Sequence, residues 1–311
     1  MTRLLVAGEL NADLVMTGLP SLPVLGQELI GDGFKQVMGS SSAITAARLA
    51  ALGADVDFAG VVGNDDLGTF VLDQLQGFGV NVANVQRVDV PTGVTIALTY
   101  SHDRALLTFP GTIEAYDGSD LTTQQLSHYD HLHVGSYFLQ KGLQPYLARI
   151  FKLAQEQGVT TSLDLGWDPN NTWLRNPYLL SVLRFTDYFV PNEDEVNALT
   201  DGSKQPQQLA QHVKGTLIVK HGSQGAATYD KFRKCLSVPT YPVEVVDTTG
   251  AGDAFNAGLL YGRIVEDLPL EQAMQFAAAC GAQAVTQVGG ATNAPSAQAV
   301  RKLMTEWPSK G

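Results

Sequence analysis

Short apolar runs alternate along the chain with segments whose apolar residues recur every three or four positions. Leu4 to Gly8, Val56 to Val62 and His131 to Gly135 are runs of the first kind, continued by Thr160 to Asp164, Tyr188 to Val190 and Leu217 to Lys220. Such runs predict strands buried on both faces. Between them, Ser41 to Leu52 sets Ile44, Ala47 and Ala51 on one helical face, and Leu67 to Gly77 repeats the theme. Alternating strand and helix predict a mostly parallel sheet covered on both sides. With no linker, internal repeat or low-complexity tract visible, residues 1–311 read as one α/β domain.

Two regions break the rhythm. Residues 11–37 carry Gly18, Pro20, Pro23, Gly26, Gly31 and Gly33, while Gly93 to Phe109 alternates Val94, Ile96, Leu98 and Tyr100 with polar or small residues. Both predict antiparallel strands outside the main sheet, a small β lid formed by about residues 11–37 and 92–110. Such a flap is suited to covering a ligand and excluding water. From Arg301 onward the chain reads as a surface helix ending near Pro308.

Composition narrows the partners. Hydrophobic residues at 44% and charged residues at 16% exclude disorder for the bulk of the chain. Subtracting 20 basic from 31 acidic side chains leaves −11, which repels a nucleic-acid backbone or an anionic membrane. Neither partner is expected, although backbone amides can still hold a small anion. Two cysteines, Cys235 and Cys280, are too few for a disulfide framework, and Met1 to Met16 places Glu9 and Asp13 where a signal peptide needs apolar residues. A cytoplasmic home is expected.

The chemistry is concentrated in Asp247-Thr248-Thr249-Gly250-Ala251-Gly252-Asp253-Ala254-Phe255, read as a strand-to-helix junction. Gly250 and Gly252 free the backbone to turn, and the amides of Gly250, Ala251 and Gly252 at a helix N-terminus form an anion hole. Asp253 beside it can accept a proton from a hydroxyl attacking phosphorus, with its pKa lowered by the helix dipole. The plainer alternative is a tight turn with Asp253 as a helix cap. His128, His131 and His133 cluster with Asp130, but flanking a buried strand they make a poor metal site. Ser40, Ser41 and Ser42 lack a nucleophile elbow and read as an N-cap and first turn. No Walker-type loop is present, and no Gly-x-Gly-x-x-Gly follows the first strand, which argues against a dinucleotide oxidoreductase.

The Asp247 to Phe255 pattern resembles the C-terminal signature of the PfkB family of carbohydrate kinases, the ribokinase-like group. The resemblance spans nearly the whole chain. Gly8-Glu9-Leu10-Asn11-Ala12-Asp13 is similar to the family's first strand and substrate turn, and Gly39 to Gly53 with Val62 to Gly68 to its N-terminal signature. Thr92-Gly93-Val94 and Asp103-Arg104 through Pro110-Gly111 resemble the lid. Pro191 to Glu195 matches the Asn-x-x-Glu motif, and Val219 to Ala226 the nucleotide loop. The resemblance implies a three-layer α/β/α fold with a mostly parallel central sheet and a small antiparallel β lid. It implies ATP-dependent phosphorylation of a hydroxymethyl group on a small sugar or sugar derivative, with Asp253 as base. A nucleoside kinase of the same fold and a non-catalytic sugar-binding protein are the alternatives.

By the same resemblance, Asn11 and Asp13 hydrogen-bond the sugar, alongside Gly39, Ser40, Ile44 and Arg104. Asn192, Lys220, Gly222, Ser223, Gly225 and Gly252 serve ATP. Asn192 and Glu195 organise Mg²⁺ through its waters, while Asp247 and Thr249 help hold a monovalent cation, K⁺, with the loop Val288 to Ser296 as its other wall. Two departures stand out. Where the family shows a second glycine and an asparagine, this chain has Ser40 and Ile44, which favours a specificity other than ribose. A lysine of some relatives is Ser41 here, which weakens the case for an already phosphorylated substrate, although Lys35 or Arg104 can supply that charge. Ala277 and Ala278 replace an asparagine near the adenine, so base contacts are expected to be apolar. A homodimer paired through the lid is expected.

Overall fold

The computed structural model describes residues 2–100, 104–286, 289–291 and 294–307. Met1, Asp103, Val288 and Pro308, each part of an expectation above, lie outside the described residues. Thirteen strands form two sheets. They are β1 (Arg3–Ala7), β2 (Asn11–Thr17), β3 (Gly33–Met38), β4 (Asp55–Gly63), β5 (Asn81–Val88), β6 (Gly93–Thr99) and β7 (Arg104–Phe109). There follow β8 (His131–Val134), β9 (Thr160–Leu163), β10 (Tyr188–Phe189), β11 (Thr216–Lys220), β12 (Ala226–Tyr229) and β13 (Lys234–Val238).

Nine strands make the central sheet, in the order β13-β12-β11-β10-β9-β8-β1-β4-β5. Every pair from β11 to β5 is parallel, and only the β11·β12 and β12·β13 pairs are antiparallel. Burial on both faces follows the pleat: Leu5 and Ala7 of β1 enter one apolar cluster, Leu4 and Val6 the other. The first helix spans Ser41–Leu52, as its periodicity predicts, with Ser40 accepting from the Ala43 amide and Gly53 closing it in the left-handed region. The second runs Asp66–Gly77, capped by Asp65.

The smaller sheet has the order β3-β2-β6-β7. Its outer pairs are antiparallel as expected, while the central β2·β6 pair is parallel because the long stretch between them builds β4 and β5 in the main sheet. Alternation gives it two faces. Asn11, Asp13, Thr95 and Thr108 line a cavity, whereas Phe34, Ile96, Leu107 and Phe109 on the opposite face are 43–63% exposed. The C-terminal helix spans Ala297–Glu306. Among the described residues no helix is long and apolar enough to cross a membrane.

Candidate active site

No strand leads into Asp247, contrary to the expected strand-to-helix junction. Residues 239–250 are irregular, because no neighbouring strand offers the Val-rich stretch a ladder; the Val246 and Asp247 amides instead donate to the Val285 carbonyl at 2.7 and 3.1 Å. Gly250 then turns at φ 75° and opens the helix Ala251–Leu260. A Cβ here would lie 2.7 Å from the Gly290 backbone, so glycine is required twice over. The Ala251 amide donates to the Thr248 carbonyl at 3.2 Å, so it is not one of the anion-hole donors. Gly252 and Asp253 carry first-turn amides that the helix itself cannot use.

The 247–252 loop is the shared wall of two cavities. Asp247 and Thr249 face one of about 660 Å³, and Thr248, Ala251 and Gly252 face another of about 580 Å³. Below the wall, the half-buried Asp253 accepts a hydrogen bond of 2.6 Å from Ser41 Oγ at the start of the first helix. Ser41 itself lines the larger cavity. Burial, reinforced by the nearby Asp164 carboxylate, raises the Asp253 carboxyl to about 7, against the opposing pull of Ser41 and Lys220. The expected lowering by the helix dipole is therefore wrong here: desolvation and like charge outweigh it.

Asn11, Asp13, Ser40, Ile44 and Arg104 line the larger cavity together with Lys35. Asn11 Nδ2 donates to Asp13 Oδ1 at 2.8 Å, and burial raises Asp13 to about 6. Gly39 lets them approach, since a Cβ there would lie 2.1 Å from Asp13 Oδ1. Ser40 adopts φ 74°, a glycine-like backbone, and spends its hydroxyl on the Glu9 carbonyl and the Ala43 amide. Ile44 packs against Gly290. Arg104 donates to the Thr249 hydroxyl, and Asp247 accepts from Thr249 (2.9 Å from the amide, 2.6 Å from the hydroxyl) and from the Gly289 amide at 3.0 Å.

The smaller cavity is lined by Lys220, Gly222, Ser223, Gly225 and Gly252, and by an apolar wall including Tyr241, Phe255 and Ala278. Asn192 is not among its lining residues. Its Oδ1 instead accepts from the Glu195 amide, and Glu195 Oε2 accepts from the Asn192 amide, both at 2.9 Å, a capping box. Behind the cavity Lys220 Nζ donates to Asp164 Oδ2 at 2.6 Å, and Asn256 Nδ2 donates to the same oxygen. Burial tends to raise Asp164, but the Lys220 charge and these hydrogen bonds hold it below the ordinary range. Burial, with Asp164 nearby, raises Glu195 to about 7.

The model of the pfkB family of carbohydrate kinases matches residues 1–297. The chain belongs to that family. An ATP-dependent ribose-1-phosphate kinase of Halopiger xanaduensis is 31% identical over 98% of this chain and 99% of its own length. The ribokinase of Bacillus subtilis is 26% identical over 98% of the chain and 100% of its own. A structure of Arabidopsis thaliana ribokinase complexed with ribose and ATP superposes with a TM-score of 0.84 at 26% identity, covering 98% of this chain and 99% of that one. This protein is an ATP-dependent sugar kinase of ribokinase-like fold.

Several site residues of the kinase are unmarked in the sequence. Ser41, a first-turn residue by its position, holds Asp253. Glu9 lines the larger cavity with both carboxylate oxygens bonded to Ser42, at 3.1 Å from the amide and 2.6 Å from the hydroxyl. A buried acid among apolar residues is its only signal. Phe34 points away from the cavity. Both ring nitrogens of His131 bond to Thr160 and Ser162, and Nδ1 of His133 bonds to Ser162. Asp164, Glu195 and Asp253 all face the Lys220 ammonium, but among the described residues no group of three or more His, Cys, Asp or Glu side chains could hold a metal ion directly, so Mg²⁺ would arrive with a triphosphate and act through its waters. Of the two side chains expected at a monovalent ion, the Thr249 hydroxyl accepts from the Arg104 guanidinium, and the Asp247 oxygens accept from Thr249 and the Gly289 amide.

Gly250→Ala is expected to destabilise the kinase by about 1–3 kcal/mol through left-handed strain and the Gly290 contact, and to abolish phosphoryl transfer. Gly53→Ala is the control: its φ is also positive, but nothing lies within 4 Å of the added Cβ, so only stability falls. Thermal melts with a turnover assay separate the two.

Proposed function

We propose that the larger cavity binds the sugar, the smaller binds ATP, and Asp253 is the general base between them. The observation that carries this reading is the 2.6 Å hydrogen bond from Ser41 to Asp253 beneath a loop that walls both cavities. A sugar hydroxymethyl takes the place of Ser41 Oγ as donor to Asp253, which accepts its proton as the oxygen attacks the γ-phosphorus. The Gly252 and Asp253 amides stabilise charge on the transferring group. Gly222, Ser223 and Gly225 let backbone approach the nucleotide, and the apolar wall with Ala278 takes the base. Glu195 would hold Mg²⁺ through its waters, and the ion would neutralise phosphate charge when bound. Asp247 is the protein's contribution to any K⁺ site.

On the sugar side, Asn11 and Asp13 are the hydroxyl readers, and Lys35 and Arg104 suit an acceptor bearing an anionic group. The 31% identity to a ribose-1-phosphate kinase agrees with that charge. A nucleoside acceptor is the second reading, favoured by the cavity's size and by Ile44, Leu139 and Val246 on its walls.

The lid does two jobs: its polar face closes over the sugar and its apolar face pairs with a second copy. Across that apolar face Met16 lies opposite Phe34, and Ile96 lies opposite Leu14 and Leu107, a continuous ladder.

Asp253→Asn is expected to keep the fold and MgATP binding while losing about 10²–10⁴-fold in turnover; near-wild-type activity would remove the base assignment. ADP release across free sugars, sugar phosphates, sugar acids and nucleosides then identifies the acceptor. Because the base must be ionised, kcat/KM for the acceptor is expected to fall as pH drops through about 7, the value to which burial raises Asp253. A profile flat down to pH 5 would contradict it. Sedimentation at micromolar concentration is expected to give a dimer, and Ile96→Glu a monomer.

A further inference from the structure

Lys220 ends β11 with its side chain only 11% exposed. Its Nζ donates to Asp164 Oδ2 at 2.6 Å and to Asn256 Oδ1 at 3.4 Å. An ammonium carries three N–H bonds, so these partners leave one. That one has an evident direction: Nζ lies 3.3 Å from where a Cβ on Gly252 would stand, beside the first turn of the helix Ala251–Leu260, and Lys220 lines the nucleotide cavity. Asp164 and Asn256 are 5% and 1% exposed and line neither cavity. They reach a ligand only through Lys220.

A structural ion pair would balance its charges. Here three carboxylates, Asp164, Glu195 and Asp253, share one buried ammonium, and the nucleotide adds further negative charge at that point. An ammonium held with one free N–H at the opening of an anion hole matches the charge that develops on a phosphoryl group in flight. We propose that Lys220 is a catalytic residue that donates to the transferring phosphoryl group, and that Asp164 and Asn256 are positioning residues that aim it. This rests on the reading of Asp253 and the anion hole given above.

The test compares Lys220→Met, Lys220→Arg and Asp164→Asn in the full-length enzyme, with Asp253→Asn alongside. Lys220→Met is expected to lower kcat about 10²–10³-fold while MgATP affinity, measured by calorimetry without acceptor, changes little. Lys220→Arg recovers part of the loss. The split between kcat and KM is the readout that a structural role would not move: Asp164→Asn is expected to lower kcat while MgATP affinity stays unchanged. Unchanged kcat in Lys220→Met, or a loss confined to the KM for ATP, overturns the catalytic assignment. Unchanged kcat in Asp164→Asn overturns the positioning one. If Lys220→Met fails to fold, the double variant Asp164→Asn/Lys220→Met removes both charges and supplies the kcat comparison. A dead Asp253→Asn beside a fully active Lys220→Met refutes this proposal alone, whereas an active Asp253→Asn refutes the base reading.

Discussion

The close approach of two helices sets the position of everything at the site. Ala251–Leu260 lies against Leu270–Ala284 at a distance that only small residues permit: a Cβ on Gly258 would lie 2.8 Å from both Ala277 Cα and Cys280 Sγ. A little further on, a Cβ on Gly262 would lie 3.0 Å from Ala273. Ala257, Ala277 and Ala279 bury fully in the same seam. Because the two backbones cannot shift apart without opening a void in a close-packed core, the N-terminus of the first helix is fixed relative to the sheet. Gly250 and Gly290 repeat the device at the helix's opening turn.

Onto that fixed point the fold directs acids from four places in the chain. Glu9 follows β1, Asp164 follows β9, Glu195 sits in the capping box after β10, and Asp253 is on the site helix itself. Parallel strands deliver their C-terminal ends to one edge of the sheet, which is where such sites collect. One lysine faces three of these acids. The result is a site in which burial raises Glu9, Glu195 and Asp253 while the Lys220 charge holds Asp164 below the ordinary range, and further positive charge is left for the incoming ligands to bring.

The parallel strands, the first two helices and the lid are legible in the sequence because buried runs and helical periodicity report burial directly. Asp253, Gly250 and Gly252 are legible because two glycines just ahead of an aspartate, at the start of a helical run, open the backbone to an anion and set a carboxylate beside it. What stays hidden depends on contacts between distant segments. Ser41 meets Asp253 across 212 positions of sequence. The pKa of Asp253 runs against expectation for the same reason: the helix dipole is local and visible, whereas desolvation and Asp164 exist only in the assembled fold. Asn192 is given outward work by the resemblance alone, while its Oδ1 caps the helix that follows it. The strand expected before Asp247 fails because a β pattern without a neighbouring ladder is not a strand.

The dividing loop from Asp247 to Gly252 has a consequence for ligand design. One side offers an inhibitor a mostly apolar wall with Tyr241 and Phe255, several glycines and a single charged side chain, Lys220. The other offers Asn11, Asp13, Lys35, Ile44 and Arg104, five side chains of differing polarity around one chamber. On the cavity assignment proposed above, selective compounds would be grown from the larger cavity, and a bisubstrate molecule would need only a short anionic tether, threaded past Gly252, to join the two.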